Sequence, residues 1–298
     1  MKQCPLCHSR ERILLYTSTR KRKNFTGNHY LCTSSSYGDH GPIYQCLKCK
    51  LVFVVDRIPI SKIIKSYSEA EDPVYLLEEK ARAKTFTRHL HYIGNIIPRG
   101  RLLDVGAYTG FFLSLAKDAG WQVEGIEPSK WAVNKSKFKY NISLKNGILK
   151  KGYFPPHSFD MVTMWDVVEH FTDPQAALET CFYYLKPGGF MCITTIDVES
   201  TIAKVLGPKW PWFMRMHLVY FSRDTIAKML EKTGFTNITF RRHIRYISIR
   251  YLISRISPHH RYIQAQLSKI SQALGLQNKI IPFHIGDLFD VYAQKPKT

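Results

Sequence analysis

Three groups of residues in this 298-residue chain have side-chain types and spacings suited to chemistry. The first is a pair of Cys-x2-Cys motifs, Cys4-Pro5-Leu6-Cys7 and Cys46-Leu47-Lys48-Cys49. Four thiolates suffice to close a tetrahedral zinc site, and such a site is structural because no position is left open for water. His8, Cys32 and His40 are alternative ligands, and the paired cysteines are the stronger set. The second group is Asp104, Gly106 and Gly110, with Glu127 about 20 residues beyond the turn, where a carboxylate can accept hydrogen bonds from a ribose diol. Glycine lets the backbone turn sharply and approach a ligand closely. The dinucleotide pattern G-x-G-x-x-G is not met, since Tyr108 stands where a middle glycine often lies. Asp104 opposes a phosphate and suits a cationic or zwitterionic ligand. The third group is Asp166, Glu169 and His170, joined by His217 farther along. A histidine with a pKa near neutrality suits a general base, and these two compete for the role.

These residues need a frame. Residues 101–127 read as strand, tight turn, helix, strand: a βαβ unit whose ligand sits beyond the carboxyl ends of its strands. A helix over 128–138 opens on Pro128-Ser129, and Ile142-Ser143-Leu144 predicts a third strand. Phe159 to Trp165 is a fourth, Asp173-Pro174 opens a helix to about Leu185, and Phe190 to Thr195 is a fifth. Ser222 caps a helix over 223–233, ended by Gly234, and a strand follows from Phe235 to Phe240. Residues 241–256 combine an apolar stripe with Arg241, Arg242, Arg245, Arg250 and Arg255, which reads as a helix either packed over the pocket or lying on an anionic membrane surface. A further helix covers about 261–274, and Asp287 to Gln294 closes the chain as a strand. The division is a zinc ribbon at 1–60, a helical connector at 61–98 that covers the ligand site, and a main domain at 99–298.

The turn at Asp104-Val105-Gly106 resembles motif I of the class I S-adenosylmethionine-dependent methyltransferases, written (D/E)-x-G-x-G-x-G. The run WDVVEHFTDP…LKPGGF resembles the motifs that follow it, in the right order and spacing. The resemblance implies a Rossmann-like α/β fold with a seven-stranded, mostly parallel sheet and C-terminal helical additions. It implies that Asp104, Gly106, Ala107, Tyr108 and Gly110 shape the methionine end of the pocket. Glu127 and Pro128 would meet the ribose, and Asn146, Gly147 and Ile148 the adenine. Trp165 would also meet the cofactor, and Asp166 to His170 would lie beside the methyl group, with Glu169 and His170 at the acceptor. Tyr67 and Tyr75 are candidates for covering the cofactor. His217 lies in a segment similar to the Glu-His-x-x-Tyr-Phe pattern of zinc-ribbon sugar C-methyltransferases, with Met216 in place of the glutamate. Asp166, Glu169 and His170 also resemble the Glu-x-x-Glu-His metal site of ubiquinone-pathway O-methyltransferases. Glu-His at this point also occurs in members without a metal, where it organises the strand end.

Composition narrows the setting. Hydrophobic content of 45% is ordinary for a globular chain. No window approaches 18 uncharged apolar residues, and the N-terminus lacks the apolar core of a signal peptide, so no transmembrane helix and a cytoplasmic location are expected. A formal charge of +20 favours an acidic partner, whether nucleic acid, an anionic membrane face or a phosphorylated substrate, and identifies none of them. The leading expectation is a methyltransferase using S-adenosylmethionine and a structural Zn2+, acting on a small or carrier-linked acceptor such as a nucleotide- or lipid-linked sugar. Two alternatives stand beside it: an RNA methyltransferase that grips phosphates with its basic ribbon, and a non-catalytic zinc-ribbon binding protein.

Overall fold

The computed structural model describes residues 3–20, 33, 37–55, 60–69, 71–256 and 261–297, the side chains of residues 60, 63, 64 and 261 excepted. The main sheet has seven strands: β4 (Arg101–Val105), β5 (Gln122–Glu127), β6 (Lys145–Asn146), β7 (Phe159–Trp165), β8 (Leu185–Ile196), β10 (Thr236–Arg242) and β13 (Leu288–Gln294). Their order is β10-β13-β8-β7-β4-β5-β6. The pairs β4–β5, β4–β7, β5–β6 and β7–β8 are parallel, and β13 lies antiparallel to both of its neighbours. This is a mostly parallel α/β sheet, and the order reverses at β4, where such sheets open a crevice for a ligand.

Alternation along the strands divides the core in two. Leu103 and Val105 share a cluster with Leu178 of α5 (Pro174–Tyr184) and with Ile226 and Leu230 of α7 (Arg223–Thr233). Leu102 and Met161 face the other way, toward Ile93 of α2 (Glu79–Ile96) and Phe112 and Ala116 of α3 (Phe111–Asp118). Asp104, Thr163 and Trp165 have the same parity as Leu102 and Met161, so the polar residues needed for a site lie beneath α2.

The N-terminal residues form an antiparallel sheet of β1 (Arg12–Tyr16), β2 (Ile43–Cys46) and β3 (Val52–Val54). A fourth strand is added from far along the chain. β9 (Val219–Tyr220) pairs with Val52 and Phe53. The same cluster of buried residues contains Cys4 and Cys46 as well as Met216 and Leu218. Of the alternative ligands, Cys32 lies outside the described residues. His40 is buried and its Nδ1–H donates to the Gly41 carbonyl at 2.7 Å.

Two sequence expectations are corrected. The third strand falls at Lys145–Asn146, after Ile142 and Leu144, which instead pack into the core beside α3. The helix expected over 241–256 is short. The chain first runs on as β10, then forms β11 (Arg245–Ser248), paired with β12 (Ile280–Phe283), and only then α8 (Ile249–Ser254). Helical and strand periodicities coincide over so few apolar positions, and pairing with a distant strand decides between them. α9 (Arg261–Ala273) follows. Among the described residues no helix is long and apolar enough to cross a membrane.

Candidate active site

The turn after β4 carries three consecutive left-handed positions at alternate spacing. Gly106 has φ +73°, Tyr108 +47° and Gly110 +71°. A Cβ on Gly106 would lie 2.7 Å from Cγ2 of Val167, and one on Gly110 would lie 2.1 Å from Oγ of Ser136. Glycine is therefore required at both by angle and by space. Tyr108 accepts the strained geometry, and its backbone N–H donates to Oε2 of Glu127 at 2.9 Å. The Ser129 N–H donates to Oε1 of the same carboxylate at 2.7 Å. Glu127 thus closes the turn of β4 onto the start of α4 (Lys130–Tyr140).

Both acidic groups at this end are buried, and neither has a cationic partner among the described residues. Burial pushes the Asp104 carboxyl up to about 8, with the Glu127 charge adding to the effect, although the Thr163 hydroxyl donates to it at 2.6 Å. Burial likewise pushes Glu127 up to about 7 against the two backbone donors. A carboxyl held near neutrality in this way has a strong preference for a positively charged ligand.

One cavity of about 450 Å³ runs from this end beneath α2. Asp104, Gly106, Ala107 and Tyr108 line it, as do Glu127 and Pro128. Gly147 and Ile148 line it on the β6 side, and Trp165 lines it at the end of β7. Tyr67 and Tyr75 line it from the connector, and Tyr75 meets Tyr108 edge-on with centroids 4.5 Å apart. Two of the sequence candidates do not line it. Gly110 sits behind the turn against Ser136. Asn146 is exposed, and its side-chain amide donates to the carbonyls of Glu127 at 3.0 Å and Pro128 at 3.1 Å. The Trp165 Nε1–H is buried with no hydrogen-bond partner among the described residues, a donor in the cavity wall that a ligand would satisfy.

At the far end, Glu169, His170 and His217 converge, with one ligating atom of each within 4.8 Å of the others. Asp166 does not belong to this group. It is exposed and has φ +55°. Each imidazole is fixed by a main-chain carbonyl. Nδ1–H of His170 donates to Met216 O at 2.9 Å, and the Tyr67 hydroxyl oxygen shares that N–H at 2.9 Å. Nδ1–H of His217 donates to Trp212 O at 2.7 Å. A carbonyl oxygen can only accept, so Nε2 is the lone-pair nitrogen of both rings. Burial lowers His170, and burial together with the neighbouring His170 brings His217 down to about 3. Glu169, whose Oε2 accepts from the Thr195 hydroxyl at 2.9 Å, is pushed up to about 8 by burial and then by Asp166.

The structure adds residues that the sequence reading did not name. Arg82, Tyr246 and Tyr251 line the cavity, together with Arg245 and Arg255 from the basic segment read as packing over the pocket or lying on a membrane surface. His89 and His243 line it too, and with Asp290 they form a buried group whose ligating atoms lie within 4.8 Å. His89 belongs to α2, His243 to the loop after β10 and Asp290 to β13. No local spacing connects them, and of the three only Asp290, within Leu288-Phe289-Asp290-Val291-Tyr292, is a polar residue inside an apolar run.

The four cysteines of the N-terminal module come together as the spacing predicts. Sγ of Cys4 lies 3.4 Å from Sγ of Cys49, and Sγ of Cys7 lies 3.5 Å from Sγ of Cys46. Around zinc at ~2.3 Å, tetrahedral thiolates stand about 3.8 Å apart, so the donor set fits with little movement. Burial pushes the Cys4 thiol up to about 11.

A family model described as a methyltransferase domain matches residues 77–239, more than half of the chain. Among curated proteins, the chain is 28% identical over 140 residues to a ubiquinone biosynthesis O-methyltransferase of Paraburkholderia phymatum, covering 43% of this chain and 57% of that one. It is 30% identical over 125 residues to the protein of the same name from a Bradyrhizobium species, covering 39% and 47%. The chain thus spans about half the length of the curated relatives it matches. Among solved structures, an S-adenosylmethionine-dependent methyltransferase from Archaeoglobus fulgidus superposes with a TM-score of 0.51 at 19% identity, covering 75% of this chain and 100% of that one.

Proposed function

We propose that this chain, which belongs to the methyltransferase-domain family and is an S-adenosylmethionine-dependent methyltransferase, methylates an anionic small or carrier-linked acceptor, such as a nucleotide- or lipid-linked sugar. The observation that carries this reading is the continuous cavity. It joins the two electron-rich carboxyls at the glycine turn to a histidine-lined end, with three arginines in its wall.

Asp104 and Glu127 fit the cofactor. Asp104 takes the cationic methionine end, and Glu127 keeps lone pairs for the ribose hydroxyls beyond those used by Tyr108 and Ser129 N–H. Gly106 and Ala107 keep the backbone close, and Gly147 and Ile148 wall the adenine side. When bound, S-adenosylmethionine supplies an electrophilic methyl group on a sulfonium. His170 would take the acceptor's proton at Nε2, freeing the acceptor's lone pair to bond the methyl carbon while the S–C bonding pair stays on the departing thioether sulfur. Met216 O holds its Nδ1–H and fixes the tautomer. His217 is too weakly basic to hold a proton near neutrality, so it orients the acceptor as a neutral hydrogen-bonding group. Glu169 braces the end of β7 through Thr195. Arg82, Arg245 and Arg255 supply the positive wall that suits a phosphate or diphosphate.

Cys4, Cys7, Cys46 and Cys49 would hold a structural zinc, which locks the ribbon against β9. The exposed stripe Ile263, Leu267 and Ile270 on α9, with Leu274 just after it, lies on a strongly basic chain, beside α8, which contributes Tyr251 to the cavity, with Arg255 at its C-terminal cap. It supports contact with an anionic membrane face where a carrier-linked acceptor would be met.

The test is transfer of labelled methyl to nucleotide sugars, polyprenyl-phosphate sugars and RNA. Transfer to a phosphate-bearing sugar, lost on removal of the phosphate, is the expected result. Transfer to RNA alone, or to a sugar irrespective of phosphate, overturns the reading.

A further inference from the structure

We propose that His89, His243 and Asp290 form a second metal site, in the wall of the cavity, that takes a borderline divalent ion of the zinc and cobalt kind. All three side chains are buried, at 4%, 5% and 4% exposure. Oδ1 of Asp290 lies 2.8 Å from Nδ1 of His243, and Oδ2 lies 3.7 Å from Nδ1 of His89. Nitrogen and oxygen ligands at ~2.0–2.1 Å around a tetrahedral ion stand about 3.3–3.4 Å apart, between these two spacings. The two imidazole planes are nearly parallel, 20° apart with centroids at 5.2 Å. An ion would enter with small shifts of side chains that the fold already holds in place.

The surroundings favour an ion. Nδ1 of each ring is turned toward its own oxygen of the Asp290 carboxylate. Outer hydrogen bonds are also in place. Thr194 Oγ1 donates to Asp290 Oδ1 at 2.6 Å, and His284 Nδ1 donates to the His243 carbonyl at 2.8 Å. Partners of this kind orient ligands in metal sites.

Two imidazoles and one carboxylate select zinc, cobalt, nickel or iron over magnesium, which prefers all-oxygen shells. Three protein ligands leave a position open. His89 and His243 line the cavity, so that position faces the space assigned to the acceptor and would take an oxygen donor. Metal binding does not depend on which acceptor is used, and the test reads the metal directly.

The full chain, with zinc in its cysteine cluster, is dialysed against Co2+ and the bound metal is counted while visible absorption is recorded. The expected result is two metal ions per chain. The second gives ligand-field bands without thiolate-to-cobalt charge transfer, and its affinity falls at least about tenfold in Asp290→Asn and in His243→Ala. Should Asp290→Asn fail to fold, His243→Ala, placed in a loop, still decides the matter. A single metal per chain overturns the proposal. So does a second ion that both variants retain and that Glu169→Gln or His217→Asn removes.

Discussion

Nδ1 of His170 stands 2.9 Å from the main-chain carbonyl of Met216, 46 residues later. The contact ties the end of β7 to the segment that enters β9, and β9 is the fourth strand of the cysteine-bearing sheet. Leu218 N–H donates to Glu169 O at 2.8 Å, and Val54 N–H donates to Leu218 O at 2.9 Å. The proposed base and the N-terminal module therefore share one short hydrogen-bonded path.

Replacing His170 with Ala removes the proposed base while leaving the glycine turn untouched. Turnover should fall by about 10²–10⁴ with the affinity for S-adenosylmethionine nearly unchanged, as measured by calorimetry beside initial rates. Loss of cofactor affinity in step with turnover would make His170 a structural residue.

Removing metal from the cysteine cluster should be felt at the active site through β9. Chelation should raise amide hydrogen exchange at residues 216–220 and reduce turnover, while exchange at the 104–110 turn stays low. Equal protection at 216–220 with and without metal would show that the two modules are uncoupled.

Gly106→Ala forces a Cβ into Val167 at a φ of +73°. Stability should fall by about 1–3 kcal/mol in denaturant titrations. Cofactor binding should weaken with it, because Val167 and the turn line the same cavity. An unchanged unfolding midpoint would mean that the turn adapts.

The buried carboxyls set a pH dependence. Asp104 and Glu127 are raised in the folded chain, to about 8 and about 7. The folded state thus binds more protons than the unfolded state above the ordinary carboxylate range. Stability of the unliganded protein should in this respect be full below the ordinary carboxylate values of 3.8 and 4.5 and decline as pH rises from there until about 7 to 8. A cationic ligand favours the ionised forms, so binding of S-adenosylmethionine near pH 7 should release protons and flatten this decline. Calorimetry in buffers of differing ionisation enthalpy measures the release. Asp104→Asn should abolish most of it, and release equal to that of the unaltered chain would refute the assignment.

The parts of the site legible in sequence were those written in local chemistry. Gly106, Gly110 and Glu127 announce a turn and its partner because the constraint is steric and short-range. α7 spans Arg223–Thr233 as its signals require, with Ser222 and Thr225 forming the capping box and Gly234 ending the helix at φ +105°. Residues 241–256 were misread because β11 owes its existence to β12, a partner that no window can see. Met216 was read by its side chain, whereas its carbonyl makes the contact, and any residue offers a carbonyl. Asn146 was read as facing a ligand, and its amide is spent on the backbone of Glu127 and Pro128. His89, His243 and Asp290 come from a helix, a loop and a strand, and only the folded sheet places them together.

Calorimetric titration of the purified, metal-loaded chain with S-adenosylmethionine and with its demethylated product tests the central claim most directly. The cavity beneath α2 predicts micromolar binding by both, tighter at pH 8 than at pH 6, and weakened by Asp104→Asn and Glu127→Gln. Absence of binding by either ligand, in protein whose fold and metal content are intact, would contradict the assignment of Asp104 and Glu127 to the cofactor.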